Sequence, residues 1–106
     1  MDLFELQHEV ANWSMVNFPK NQPYHPLVGI MEEVGELAHA HLKMEQGIRG
    51  DEIEHKVAKL DAVGDIVIYL ADYCARNDIS LGLAVESTWQ IVKQRNWRKN
   101  PTTGGE

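Results

Sequence analysis

Two apolar segments of this chain carry carboxylates that any fold must place: Leu27-Val28-Gly29-Ile30-Met31-Glu32-Glu33-Val34-Gly35-Glu36-Leu37-Ala38-His39-Ala40 and Leu60-Asp61-Ala62-Val63-Gly64-Asp65-Ile66-Val67-Ile68-Tyr69-Leu70. On a helix turning about 100° per residue, Asp61, Asp65 and Asp72 fall within roughly 40° of one another, with Leu60, Val63, Ile66, Val67, Leu70, Ala71 and Cys74 on the other side. In the earlier segment Glu32 and Glu36 are one turn apart and Glu33 lies three before Glu36. Leu27, Ile30, Val34, Leu37 and Ala38 oppose them. Both segments therefore predict helices with one acidic and one apolar stripe. Exposed helix faces are commonly acidic, but aspartate is a poor residue inside a helix, so its recurrence amid Val, Ile and Leu points to function.

Antiparallel packing of the two helices brings four or five carboxylates to one seam. Like charges at short range resist ionisation unless a cation neutralises them, and the seam carries no matching lysines or arginines. Hard divalent ions such as Mg²⁺ or Mn²⁺ take oxygen ligands of this kind, and Mg²⁺ keeps positions for water and phosphates. The seam is read as a metal site.

Glu33-Val34-Gly35-Glu36-Leu37 followed by Asp61-Ala62-Val63-Gly64-Asp65-Ile66-Val67-Ile68-Tyr69-Leu70 resembles the two metal motifs of the MazG-like, all-α nucleoside triphosphate pyrophosphohydrolases. Their usual form is Glu-x-x-Glu, then Glu-x-x-Asp. The resemblance runs from Trp13–Pro19 through Lys93–Pro101, with one departure: Ala62 stands where the family has Glu. Asp61, one position earlier, shares the face of Asp65 and takes its place in the expected ligand set Glu33, Glu36, Asp61 and Asp65.

The resemblance implies Mg²⁺- or Mn²⁺-dependent hydrolysis of a ribo- or deoxyribonucleoside triphosphate to the monophosphate and pyrophosphate, for nucleotide-pool housecleaning or regulation. Glu33 and Glu36 serve catalysis through the metal, and Glu32 is a further ligand or the base. The end of the first helix and the following loop lie beside the nucleobase in the family, which makes Trp13 a substrate-binding candidate, with Phe18, Tyr24 and His25 behind it; Trp13 also sits on a stripe with Leu6 and Val10, where core packing competes. Lys93, Arg95 and Asn96 match the family's phosphate-binding place, against the alternative that they stabilise a helix C-terminus through its dipole. Lys43, two turns beyond Glu36, is another phosphate candidate.

The chain of 106 residues, 43% hydrophobic and 25% charged, has the size and composition of one globular domain, 1–106, with about 100–106 a flexible tail. A net charge of −6 argues against a nucleic acid polymer or an anionic membrane as partner. The absence of a long apolar run and of a basic leader predicts a cytoplasmic protein. Cys74, the single cysteine, falls on an apolar face and reads as a core thiol.

Helical spacing and stop signals predict an all-α, four-helix bundle-like domain. The first helix runs about Leu3–Asn17 before Pro19, and the second opens at Pro26 and ends near Gln46 before Gly47. The third, about Glu52–Arg76, starts at an Asp51/Glu54 capping box, which accounts for Glu54 outside the site. The fourth, capped at Asp78 or Ser80, runs to about Trp97. The third helix is apolar around more than half its circumference, more than one layer of helices covers. Homodimerisation, or a dimer of dimers, is expected, as the resemblance also implies.

Two other functions fit the same residues. One is a non-catalytic helical dimer whose acidic seam binds metal or a partner protein. The other is a diiron carboxylate bundle, suggested by Glu5/His8, Glu36/His39 and Glu52/His55 at Glu-x-x-His spacing, although this chain is short for it.

Overall fold

Local chemistry starts and stops most of the helices. In the computed structural model, which describes residues 1–105, the elements are α1 (Leu3–Asn17), α2 (His25–Gln46), α3 (Glu52–Arg76) and α4 (Leu81–Val92). The fold is all-α and bundle-like, with no strand among the described residues. The Asp2 carboxylate accepts from Glu5 N at 2.8 Å to open α1, and Asp51 accepts from Glu54 N at 2.8 Å while Glu54 returns the cap at 3.4 Å to open α3. Pro26 sits in the first turn of α2, and Gly47 closes that helix at φ 68°. Ser80, rather than Asp78, caps α4 through Leu83 N.

The far end of α4 departs from the sequence expectation. The helix stops at Val92, five residues before Trp97. Its last turn tightens, with Gln94 N donating to Ile91 O at 3.2 Å and Arg95 N to Val92 O at 3.1 Å. The Asn96 carboxamide oxygen then accepts from Arg98 N and Lys99 N at 3.2 and 3.0 Å, opening a separate turn. Asn96 N donates to Gly104 O and Gly104 N to Asn100 O, each at 2.8 Å. The tail expected to fray is thus folded back as far as the described residues go, with Gly104 buried against the Arg95 side chain. Lys93 is the C-cap of α4 and keeps the dipole explanation, whereas Arg95, Arg98 and Lys99 lie beyond the helix end.

α2 lies along α3, and α1 packs on α3 from elsewhere; α4 rests on α1 and α3 over a short stretch only. Among the described residues α2 meets no helix but α3. Ala40 and Ala62 are buried between α2 and α3, where small side chains permit close approach. The other core joins Val10, Ala71, Cys74 and Leu81, with Leu3, Leu6 and Tyr73 around them. Cys74 is therefore a core thiol, and burial pushes its pKa up. Gln7 ties α1 to the start of α4, donating to Ile79 O at 2.7 Å and accepting from Leu81 N at 2.8 Å.

One chain leaves much apolar surface bare. Ile53 and Leu60 on α3 are each 73% exposed, and Trp89 and Ile91 on α4 are each 57% exposed. The radius of gyration is 17.2 Å, against about 13 Å for a compact domain of this length. Among the described residues no helix is long and apolar enough to cross a membrane.

Candidate functional site

Three carboxylates gather on α2. Glu32, Glu33 and Glu36 each offer an oxygen within 4.8 Å of the others. Glu33 is buried, 8% exposed, and its Oε2 is sealed from solvent with no hydrogen-bond partner. Burial raises the Glu33 pKa above its ordinary 4.5, and the charges of Glu36 and Asp65, a shared-proton contact with Glu36 and the charge of Glu32 add to the rise. A buried acceptor left unmatched is costly, and a proton or a cation relieves it. Oxygen donors alone, at this density, suit a hard divalent ion.

Asp65 reaches this group from α3, close enough to act on Glu33. Asp61 lies outside the three-glutamate cluster, on an adjoining cleft of about 790 Å³ that Glu36 and Asp65 also line. Ala62, where the resemblance has its missing glutamate, is 2% exposed, so that position is given over to packing of α2 on α3. Arg49, in the link between these helices, lines the same cleft together with His39, Glu54 and His55. Arg49 carries no motif or helical period that would single it out from sequence. The Nε2 of His55 donates to Ile48 O at 3.0 Å, and His8 faces Asn12 on α1 at 3.4 Å. No histidine enters the carboxylate cluster found among the described residues.

Beside the carboxylates opens a cavity of about 420 Å³, within the range of small-molecule sites. Glu32, Glu33 and Asp65 line it together with Trp13, Phe18, His25, Ile68 and Tyr69. Trp13 is 53% exposed and stands edge-on to Phe18 at 5.7 Å, so it is a cavity wall and not a core residue. His25 is placed by accepting from Gln22 N at its Nδ1, 2.8 Å away, and packs against Tyr24. Tyr24 does not line the cavity.

Tyr69 was not singled out from sequence. Its hydroxyl pKa is raised by burial first and then by the charges of Glu33, Glu32, Asp65 and Glu36, and Tyr69 lines the cavity with Glu32, Glu33 and Asp65. The signal was available, since Tyr69 is one turn beyond Asp65 on the same face. Gly29 gives the ring its room: a Cβ there would stand 2.5–2.7 Å from three Tyr69 ring atoms.

Arg76, another residue the sequence did not mark, fixes the opposite wall. Its side chain donates to Asp72 Oδ1 at 2.9 Å, Ser14 Oγ at 2.8 Å, Asn21 O at 3.0 Å and Phe18 O at 3.1 Å. The end of α1 and the loop after it are thus tied to α3 around the cavity.

The proposed phosphate binders are elsewhere. Lys43 Nζ donates to Gln46 Oε1 at 2.9 Å, and Lys43, Lys93, Arg95 and Asn96 line neither the cavity nor the cleft. Asn96 caps a turn, and Arg95 sits 6.0 Å from the Trp97 ring centre.

The fold and site define a helical protein with a carboxylate cluster, its Glu33 buried and Glu32 and Glu36 exposed, beside an aromatic-walled cavity. Compared with known protein families, with curated proteins and with solved structures, the chain has no match.

Proposed function

We propose that this protein is a divalent-metal-dependent nucleoside triphosphate pyrophosphohydrolase of the MazG-like kind, cleaving between the α and β phosphates to give the monophosphate and pyrophosphate. The observation that carries the reading is the buried, unpartnered Glu33 Oε2 among the acids Glu32, Glu36 and Asp65, at the mouth of a cavity sized for a nucleoside. The residues fit a hard cation, with Glu33 and Glu36 as ligands, Asp65 opposite, and Glu32 or Asp61 completing the set. When bound, Mg²⁺ or Mn²⁺ neutralises phosphate charge and lowers the pKa of water.

The chain's own groups do the rest. Glu32, where Asp61 completes the ligand set instead, accepts the proton of the attacking water. Tyr69 donates a hydrogen bond toward a phosphate oxygen. Trp13 and Phe18 offer ring surface against which the base packs, which helps fix the phosphoanhydride for in-line attack; positioning of this kind supplies much of the rate enhancement in such chemistry.

Self-association belongs to the same proposal. The chain exposes 7867 Å² for 12.1 kDa, where a compact monomer of that mass exposes roughly 6,000 Å². The surplus of roughly 1,900 Å² per chain is the scale of a large, obligate homodimer interface. A second copy would also be the source of basic side chains for phosphate, since Lys93 and Arg95 lie away from their own chain's acids.

The test is pyrophosphate release from a panel of ribo- and deoxyribonucleoside triphosphates with Mg²⁺ or Mn²⁺. Wild type is expected to release pyrophosphate and Glu33→Gln to fall by at least about a hundredfold. No release from any triphosphate with either metal would sink the reading, leaving a non-catalytic metal-binding helical dimer.

A further inference from the structure

The cavity has a second carboxylate at its other end. Asp72 lies on the same face of α3 as Asp65, two turns and ~10 Å further along the axis, about the reach from an α-phosphate to the far edge of a nucleobase. Asp72 lines the cavity and is 7% exposed. Its Oδ1 is taken by Arg76 Nε at 2.9 Å. Its Oδ2 accepts no hydrogen bond from the described residues, yet it is not sealed off as Glu33 Oε2 is. Three of the four other N–H donors of Arg76 go to Ser14, Phe18 and Asn21, and its bond to Asp72 is to Oδ1, so the guanidinium holds the Asp72 rotamer without bonding its second oxygen.

A carboxylate is an acceptor only. Held at the end of a slot walled by Trp13, Phe18 and Tyr69, it is complemented by N–H donors at the edge of a flat ring. Cytosine and adenine present an exocyclic amino group there, and guanine presents two adjacent donors. Uracil and thymine have a single ring N–H flanked on both sides by carbonyl oxygens, which a carboxylate repels. We infer that Asp72 selects nucleotides whose base carries an exocyclic amino group and rejects those of the uracil type. The inference rests on the proposed hydrolysis only for what happens at the carboxylate cluster; base selection is a property of the other end of the cavity.

The experiment compares cytidine with uridine, which differ in the 4-substituent (amino or carbonyl) and in the proton on the adjacent ring nitrogen, using metal-free protein and tryptophan fluorescence or chemical-shift titration. Neither phosphate nor catalysis is involved, so failure of the hydrolytic reading leaves this readout intact. Wild type is expected to bind cytidine about ten- to a hundredfold more tightly, the scale for leaving a buried polar group unpaired. Asp72→Asn keeps the shape and an oxygen for Arg76 but turns an N–H₂ into the cavity, and is expected to abolish or reverse that preference. In hydrolysis the same variant should move KM for the cytosine and uracil triphosphates in opposite directions. Equal binding of the two nucleosides by wild type, or binding of neither, overturns the inference, as does an Asp72→Asn protein that weakens both equally. Should Asp72→Asn fail to fold, the wild-type comparison decides alone.

Discussion

Replacing Arg76 by leucine tests the claim that one guanidinium holds the cavity together. Both partners of the Asp72–Arg76 pair are 9% exposed, so neither can recover much water when the other is removed. Losing one partner of such a buried pair costs about 3–5 kcal/mol, mostly from the stranded charge. The Phe18 and Asn21 carbonyls lose their donor as well, which favours the upper half of that range. For a domain of this size ~1 kcal/mol corresponds to about 4–8 °C, so Tm should fall by at least ~12 °C. Urea unfolding at a fixed protein concentration measures the loss, because unfolding of chains that associate as proposed would depend on concentration.

Arg76→Lys should recover less than half of the stability, since an ammonium cannot serve Asp72 and the carbonyls of two segments from one planar fork. The double variant Arg76→Leu with Asp72→Leu removes the stranded charge and should lose less than the sum of the single losses; what remains is the share of the carbonyls and of Ser14. A single-variant loss below about 1 kcal/mol, the size of an exposed ion pair, would refute the reasoning.

Other outcomes follow from the same structure. Gly29→Ala gains ~1 kcal/mol of helix propensity but drives a methyl into the Tyr69 ring, an overpacking cost of about 1–3 kcal/mol; a net loss in urea midpoint and a changed near-ultraviolet tyrosine signal are expected, and net stabilisation would contradict the close approach. Because the folded Glu33 carboxyl titrates above 4.5, metal-free folded protein binds more protons than unfolded chain just above that pH. Its stability relative to Glu33→Gln should therefore fall as pH rises through that window and level off above it. Saturating Mg²⁺ should flatten the slope, and Tm against pH with and without the ion reads both; a wild-type protein that gains on the variant as pH rises would be the contrary result. Sedimentation should give at least twice the 12.1 kDa of one chain, with Leu60→Lys shifting it toward monomer if the bare face of α3 is the interface; a wild-type monomer at micromolar concentration would refute self-association.

What could be read from the sequence divides by range. The bounds of α1, α2 and α3 were legible because their signals are local: Pro19, Pro26, Gly47 and the Asp51/Glu54 box each act within a turn or so. The end of α4 was not, because Asn96 is tied to Gly104, eight residues on, and no helical period announces that. Glu32, Glu33 and Glu36 could be grouped from one helix, whereas the standing of Asp61 depended on the register of α2 on α3, which Ala62 sets by being small. The tie from Arg76 to Ser14 and Asn21 spans 62 and 55 residues and left no pattern in the chain.

A basic cluster at residues 93–99 was equally plain in sequence, yet its distance from the acids is decided by where α4 docks. The features that did assemble share one physical device. Asp61, Asp65, Tyr69, Asp72 and Arg76 are spaced by three or four down a single face of α3, so the α3 side of the cleft, of the carboxylate cluster and of the cavity, and the anchor of its far wall, are held in order by one rigid helix. The irregular wall from Phe18 to His25 has no such order of its own. Arg76 lends it the order of α3, which is why a residue outside the proposed chemistry should control the shape of the site.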